Sequence, residues 1–146
     1  MKVSIITISY NDLAGLKRTY ESIRRQTFVD YEWIVIDGGS TDGTKAFLED
    51  HAQELSFWCS EPDKGVYNAQ NKGTLHAKGE YCIYMNSGDS FFADDVLENI
   101  FKENHDADVI YVGLVVEESD KPYGSYGCKS INVVEERFYG LNFGRW

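Results

Sequence analysis

Short runs of apolar residues alternate along this chain with segments in which apolar residues recur every three or four positions. The apolar runs predict β-strands at residues 3–9, 31–37, 57–59, 81–85 and 109–116. The other segments predict helices, namely one with Leu13, Leu16, Tyr20 and Ile23 on its apolar face, one at 44–51, one with Val66, Ala69, Gly73 and Ala77, and one with Val96, Leu97, Ile100 and Phe101 after a capping Asp94. This alternation predicts an α/β fold with a mostly parallel sheet flanked by helices.

Three of these strands end in clusters of polar residues. The clusters are Thr7, Ser9, Tyr10 and Asn11 at the first strand, Asp37 at the second, and residues 86–89 at the fourth. Because the carboxyl ends of parallel strands meet at one edge of the sheet, where ligands bind, we expect these side chains to converge. Two carboxylates, an aromatic ring and several hydroxyls suit a nucleotide held with a divalent cation. An ordinary strand-to-helix turn after Asp37 is the alternative.

The loop after Asp37 differs from two familiar phosphate-binding motifs. Gly38 and Gly39 let the backbone approach a ligand closely, and Thr41 or Asp42 can cap the helix that follows. No glycine-rich loop ends in Lys-Ser or Lys-Thr, and the dinucleotide fingerprint fails because Ser40 stands where its second glycine is needed. Without a P-loop lysine, this acidic chain is expected to hold a diphosphate through a metal ion, with Asp89 as the candidate ligand.

Composition narrows the class of protein further. The chain has 146 residues, enough for a single domain with a sizeable core, and its net charge of -10 argues against a nucleic-acid partner. Cys59 and Cys82 stand in strand-like runs and are expected to be buried free thiols, as in a reducing cytosol. No signal peptide and no apolar run of about 20 residues, the length that spans a bilayer, is found. We therefore expect a cytoplasmic protein without a transmembrane segment.

Four ordered segments carry a resemblance to a known family. They are SIITISYN at 4–11, VIDGGSTDGT at 35–44, EPDKGVYNAQNKG at 61–73 and YMNSGD at 84–89. Over about residues 3–101 the chain resembles the amino-terminal half of a family 2 glycosyltransferase with the GT-A fold, a Rossmann-like nucleotide-diphospho-sugar transferase architecture. By this resemblance residues 1–116 form the donor-binding region, and 117–146, rich in Tyr, Gly and Phe, form an incomplete acceptor-side region.

The resemblance implies roles for individual residues. Tyr10 would stack on the base, with Thr7 and Ser9 against the nucleoside, and Asp37 would accept a hydrogen bond from the base or ribose. Asp89 would hold Mn²⁺ or Mg²⁺ on the diphosphate. The other residues implied in nucleotide-sugar binding are Asn11, Gly38, Asp63, Lys64, Gly65 and Asn71.

The chain departs from the family pattern at three places. Asp37 is followed by Gly38 where many members have a second Asp, and residues 86–89 keep a single carboxylate where many have three. Gln70 replaces an Arg often found before the equivalent of Asn71. We therefore expect weak metal binding in the absence of nucleotide.

The function implied is transfer of a sugar from a nucleotide-diphosphate sugar, UDP-linked, to an acceptor hydroxyl, with inversion and with a divalent metal. Polysaccharide or glycan synthesis at the cell envelope is suggested, with a glycan or lipid-linked acceptor and peripheral association with a membrane-bound pathway. No catalytic base is assigned: Glu135 and Glu136 do not match the family pattern, and the ending NFGRW only faintly resembles an acceptor motif. The oligomeric state is not predicted.

Two other functions stay open, and so do simpler roles for single residues. Lacking a recognisable base, the chain could be a non-catalytic nucleotide-binding or assembly module; a dinucleotide-binding domain is disfavoured by the absent fingerprint. Tyr10 could close an edge of the core, and Asp89 could form a turn beside Gly88. Lys64 and Lys72 could be solvated. The three histidines show no metal-ligand spacing.

Overall fold

The structure is a computed structural model, and it describes residues 1–103, 109–111 and 134–136. The chain divides into two compact units, Met1–Leu97 and Glu98–Trp146. The division at residue 116 that the sequence predicts lies outside the described residues and stays a prediction.

The first unit contains a four-stranded parallel sheet. Its strands are β1 (Val3–Ser9), β2 (Tyr31–Asp37), β3 (Phe57–Ser60) and β4 (Tyr81–Asn86), in the spatial order β3-β2-β1-β4. The helices are α1 (Leu13–Arg24), α2 (Thr44–Asp50), α3 (Val66–His76) and α4 (Val96–Phe101), with a short 3₁₀ turn at Ala52–Glu54. The predicted α/β architecture is thereby confirmed.

The two central strands form the floor of the core. Every residue of β1 is buried, as is every residue of β2 after Tyr31, because helices cover both faces of these strands. On one face Ile6 and Ile34 pack with Ala69 of α3. On the other, the ring of Tyr20 from α1 stacks on Trp33, with 5.6 Å between ring centroids.

Two predictions of burial are wrong. Cys82 is exposed because β4 is an edge strand of the sheet, and every second residue from Cys82 to Tyr84 faces solvent. Val66 is 54% exposed, because it is the first residue of α3 and no preceding helical turn covers it. Within α3 the buried positions are Ala69 and Gly73.

In the second unit, β5 (Val109–Tyr111) pairs antiparallel with β6 (Val134–Glu136). The sequence predicts β5 as far as residue 116, and the positions after Tyr111 lie outside the described residues. Strand β6 was not predicted, because three residues are too few to show an alternating pattern.

Candidate functional site

The carboxyl ends of three strands lie side by side. Ser9 of β1 stands opposite Asp37 of β2, and Ile8 stands opposite Asn86 of β4. The polar residues that follow these strands therefore share one edge of the sheet, as the pattern predicts.

Asp37 is fully buried, and its carboxylate is satisfied by one residue of the following loop and one at the end of β3. Its Oδ2 atom accepts hydrogen bonds from the Ser40 backbone N–H at 3.0 Å and from the Ser60 hydroxyl at 2.6 Å. The Ser40 hydroxyl donates to Oδ1. These bonds offset the cost of removing a carboxylate from water. Asp37 thus holds the loop after its own strand to the end of β3.

Asn11 joins the loop after β1 to the loop after β2. Its backbone N–H donates to the Ser40 hydroxyl oxygen at 2.7 Å, and its side-chain Oδ1 accepts from the Thr41 N–H at 2.8 Å. Asn11 has φ of 48°, in the left-handed region that Asn tolerates better than most residues. The Asn11 side chain therefore holds the two loops together and has a structural role at this edge of the sheet.

An aromatic ring and a carboxylate pack closely at Gly38. A Cβ atom at this buried glycine would lie 3.2 Å from Tyr10 Cδ2 and 3.0 Å from Asp63 Oδ2. The Tyr10 side chain is 68% exposed, so the alternative that it closes the core edge is wrong. An exposed ring and a half-buried carboxylate thus meet where the backbone carries no side chain.

The segment that leads into α3 is shaped by short-range hydrogen bonds. Asp63 Oδ1 accepts from the Gly65 N–H at 2.7 Å, and the Lys64 N–H donates to Asn68 Oδ1 at 3.3 Å. Gly65 has φ of 100°, a conformation that strains residues with a side chain. The side chains of Lys64 and Asn71 face solvent.

Lys72 is engaged in an ion pair with Glu61. The two side chains meet at 2.8 Å, and the hydrogen bond from Lys72 lowers the pKa of Glu61 while Glu61 raises the pKa of Lys72. Both groups therefore keep their charges near neutral pH. Lys72 is therefore not simply solvated: its ion pair joins α3 to the segment just after β3.

The turn after β4 carries the candidate metal ligand. Asp89 is exposed, and its Oδ2 atom accepts from the Asn86 N–H at 2.7 Å. The Asp89 N–H in turn donates to the Asn86 carbonyl at 2.9 Å, and Gly88 has φ of 98°. Asp89 thus does form the turn, and it also presents a carboxylate to solvent.

The residues of this turn can hold a metal ion only if a bound nucleotide supplies some of the metal's ligands. Within the described part of the chain, no three His, Cys, Asp or Glu side chains are grouped so as to hold a metal. Mg²⁺ commonly binds one or two carboxylates together with substrate phosphates, and Asp89 can supply one such carboxylate. The turn therefore fits a cation carried by a diphosphate better than a metal site that exists beforehand.

Two of the predicted residues lie inward from the open crevice. Thr7 is fully buried, and its hydroxyl oxygen accepts a hydrogen bond from Trp33 Nε1 at 2.9 Å. Ser9 is 6% exposed, and its hydroxyl donates to Ser87 Oγ at 3.4 Å. Thr7 is placed to support the sheet, and Ser9 to join the ends of β1 and β4.

Several residues at this edge were not predicted as site residues. Ser40 and Ser60 bind Asp37, while Ser87 donates to the Asp12 carbonyl at 2.9 Å. Only the polar character of the loops hints at these serines, because their partners are distant in sequence. Arg18 was also missed: its Nη2 atom lies 3.5 Å from where a Cβ of Gly88 would stand.

A parallel sheet whose carboxyl edge carries an exposed aromatic ring, a glycine loop and acidic side chains defines an α/β protein with a candidate ligand site at the ends of its strands. The sequence profile described as glycosyl transferase family 2 matches residues 4–143. The chain belongs to this family, and the resemblance found from its four motifs is confirmed.

Curated relatives agree with this assignment. The chain is 47% identical over 96 residues to the uncharacterized glycosyltransferase Rv1514c of Mycobacterium tuberculosis, covering 65% of this chain and 37% of the relative. It is 31% identical over 127 residues to a PGL/p-HBAD biosynthesis glycosyltransferase of Mycobacterium bovis, covering 83% of this chain and 50% of that protein. The chain thus spans half or less of the length of these relatives.

Solved structures confirm the GT-A architecture. Staphylococcus aureus TarS 1-349 in complex with UDP has a TM-score of 0.63 and 25% identity, over 70% of this chain and 31% of that one. The mannosyltransferase PcManGT of Pyrobaculum calidifontis, in complex with GDP-Man and Mn²⁺, has a TM-score of 0.63 and 27% identity, over 69% and 31%. Among the described residues, no helix is both long and apolar enough to cross a membrane.

Proposed function

We propose that this chain is the donor-binding part of a glycosyltransferase that transfers a sugar from a nucleotide-diphosphate sugar to an acceptor hydroxyl. The observation that carries the proposal is that the exposed Tyr10 ring and the Asp63 carboxylate meet at Gly38, each within 3.2 Å of where a Cβ of that residue would stand. A flat base can stack on the exposed ring, and the nearby carboxylate can accept hydrogen bonds from base or ribose N–H and O–H groups.

The contacts at the strand ends favour different roles for the individual residues of this site. Tyr10 stacks on the base, and Asp63 lies close to it at Gly38. Asp37 keeps the loop in shape through Ser40 and Ser60. Because Asp37 is fully buried, it contacts the nucleoside directly only if the residues that cover it move. Thr7 supports the site indirectly, because it is fully buried and its hydroxyl oxygen accepts a hydrogen bond from Trp33 within the sheet.

Asp89 is the residue that would hold Mn²⁺ or Mg²⁺. A divalent cation supplies charge compensation to the departing diphosphate. This chain contributes a single carboxylate, exposed at a turn that its own backbone closes. Metal affinity should therefore be low for the chain alone and should rise when a nucleotide diphosphate is present.

The nucleotide of the donor is open to direct test. A uridine nucleotide is proposed from the motifs and from the UDP complex of TarS, whereas the complex of PcManGT holds GDP-Man. Competition between UDP and GDP for the purified chain decides between them. We expect UDP to bind at least about tenfold more tightly, which corresponds to about 1.4 kcal/mol.

The acceptor, the inversion of the anomeric carbon and the catalytic base belong to the same proposal. Glu135 lies in β6, and its role stays unassigned. Synthesis of a cell-envelope glycan is proposed by analogy with the relative described as acting in PGL/p-HBAD biosynthesis. The cytoplasmic location and the peripheral association with a membrane-bound pathway stay predictions of the sequence.

Calorimetry with UDP and MnCl₂ tests the donor site. We expect UDP to bind only with Mn²⁺ present, and Asp89→Asn to weaken binding at least about tenfold. Asp30→Asn is the matched control, because Asp30 stands just before β2, at the opposite edge of the sheet. Absence of binding at millimolar UDP, or equal binding by the two variants, would contradict the proposal.

The alternative, a non-catalytic nucleotide-binding module, is motivated by the lack of a recognisable catalytic base in the sequence, since Glu135 and Glu136 do not match the family pattern. Release of UDP from a UDP-sugar by the purified chain, in the presence of Mn²⁺, separates the two functions. Hydrolysis or transfer supports the enzyme, and tight donor binding without turnover supports the module.

A further inference from the structure

Helix α1 presents three buried polar side chains to the segment that follows β4. Thr19, Ser22 and Gln26 are 0%, 1% and 7% exposed. Their spacing of three and four residues places them on one side of the helical path, with Gln26 just beyond the last turn of α1. Polar groups this deeply buried need hydrogen-bond partners.

Thr19 binds the turn that carries Asp89. Its hydroxyl oxygen accepts from the Gly88 N–H at 3.0 Å, and the hydroxyl donates to the Asp89 carbonyl at 2.8 Å. The Gly15 and Asn86 carbonyls lie farther from the same hydroxyl, at 3.2 and 3.4 Å, and they compete for its one proton. The Thr19 side chain thus contacts both residues at the tip of the turn.

Ser22 and Gln26 continue these contacts along the chain. The Ser22 hydroxyl oxygen accepts from the Phe91 N–H at 3.3 Å. Gln26 Nε2 donates to the Ala93 carbonyl at 2.7 Å, and its Oε1 atom accepts from the Leu97 N–H at 3.0 Å. The backbone from Gly88 to Leu97 is therefore bound to α1 at three successive levels.

The hydrogen bonds of Asn86 and Ser87 fix the first half of the turn. The two bonds between Asn86 and Asp89 join it to the end of β4, and Ser87 donates from its N–H to the Ile8 carbonyl and from its hydroxyl to the Asp12 carbonyl, both at 2.9 Å. The Thr19 hydroxyl binds the second half, Gly88 and Asp89, to α1. Loss of this hydroxyl would leave the Gly88 N–H and the Asp89 carbonyl without this partner, which favours movement of the tip of the turn.

We propose that Thr19 is a positioning residue for the metal ligand: its hydroxyl holds the 86–89 turn so that the Asp89 carboxylate faces the diphosphate. This inference rests on the proposed function and deepens it. Thr19 touches neither donor nor metal, and it acts on both through Asp89. Ser22 and Gln26 support the chain beyond the turn and do not set the direction of the carboxylate.

Two measurements on the full chain test the inference. The first is the affinity for Mn²⁺ in the presence of UDP, by calorimetry. The second is the exchange rate of the Gly88 amide proton without any ligand, by NMR. We expect Thr19→Val to weaken Mn²⁺ binding about tenfold and to speed Gly88 exchange, and Thr19→Ser to restore both.

Gln26→Leu is the matched control, because it removes buried hydrogen bonds at the far end of the same segment. It should lower the melting temperature and leave the affinity for Mn²⁺ unchanged. Thr19→Ala removes the same hydroxyl without adding a methyl group, and it replaces Thr19→Val if that variant does not fold.

Wild-type Mn²⁺ affinity in a folded Thr19→Val variant, or equal weakening in Gln26→Leu, would overturn the inference. Unchanged Gly88 exchange would overturn it as well, because the hydrogen bond would then not order the turn. If the wild-type chain itself binds no Mn²⁺ with UDP, the proposed metal site is wrong and the inference falls with it. That case can be recognised because neither the wild-type chain nor the Thr19→Val variant then shows Mn²⁺ binding.

Discussion

Asp37 is a buried carboxylate whose three hydrogen bonds come from Ser40, in the loop after β2, and from Ser60, the last residue of β3. The pattern of the chain predicts its place at a strand end, but not these partners. Gly38 beside it matters for the side chain that it lacks, because Tyr10 and Asp63 pack closely at this position.

Gly38→Ala should weaken UDP binding about tenfold while leaving the fold intact. The new methyl group would crowd Asp63 Oδ2 and Tyr10 Cδ2, at 3.0 and 3.2 Å, and would force the ring or the carboxylate aside. Calorimetry gives the affinity, and thermal unfolding shows whether the fold is kept. Wild-type affinity in this variant would show that UDP binding does not depend on the positions of Tyr10 and Asp63 at Gly38.

At the scale of elements, one side chain joins the beginnings of two helices. Asp42 Oδ2 accepts from the N–H of Leu13, the first residue of α1, at 2.7 Å. Its Oδ1 atom accepts from the N–H of Thr44, the first residue of α2, at 3.1 Å and from the Thr44 hydroxyl at 2.7 Å. The sequence predicts Thr41 or Asp42 as the cap of α2, and the structure gives these contacts to Asp42. The bond to α1 depends on the two loops meeting in space.

Asp42→Ala should lower the free energy of unfolding by about 1 kcal/mol at pH 7. Hydrogen bonds from Thr44 and then from the Leu13 backbone lower the pKa of Asp42. A lowered pKa in the folded state stabilises the fold above the pKa of the unfolded chain, about 3.9, and this stabilisation is lost as the pH falls through the folded value. The difference from wild type should therefore be full at pH 7 and should shrink in acid.

Urea unfolding at several pH values measures this difference. Asp50→Ala is the control, because Asp50 is the last residue of α2, where a negative charge is not favoured by the helix dipole. A loss of stability in Asp42→Ala that is the same at every pH would contradict the role of the carboxylate charge.

At the scale of the whole molecule, α3 packs very closely against the sheet. Gly73 allows this approach: a Cβ there would lie 2.4 Å from Ile6 Cγ2 of β1. The helical spacing of α3 predicts that Gly73 faces the core, and the structure confirms that it is buried. The sequence pattern does not show how little space lies beneath it.

Gly73→Ala should destabilise the protein by about 1–3 kcal/mol through overpacking, although alanine forms helices better than glycine does. The clash involves Ile6, so the same change should cost less in an Ile6→Ala background. A double-mutant cycle in urea measures this coupling. Equal cost in both backgrounds would show that the two residues do not meet.

The sequence by itself determined the order of strands and helices and the edge of the sheet where the site lies. Both follow from local information, since apolar periodicity records which face of an element is buried and parallel strands end at a common edge. By resemblance it also predicts Tyr10, Gly38, Asp63 and Asp89 as site residues. The geometry brings Tyr10 and Asp63 together at Gly38.

Only the tertiary structure decided which partner each polar group meets. Thr7 is bound to Trp33, Asp37 to Ser60, and Thr19 to Gly88, pairs separated by 26, 23 and 69 residues. No local pattern records such pairs, because hydrogen bonds between distant segments exist only after the chain has packed. The turn that carries Asp89 is for this reason predictable as a turn, while its attachment to α1 is a property of the fold.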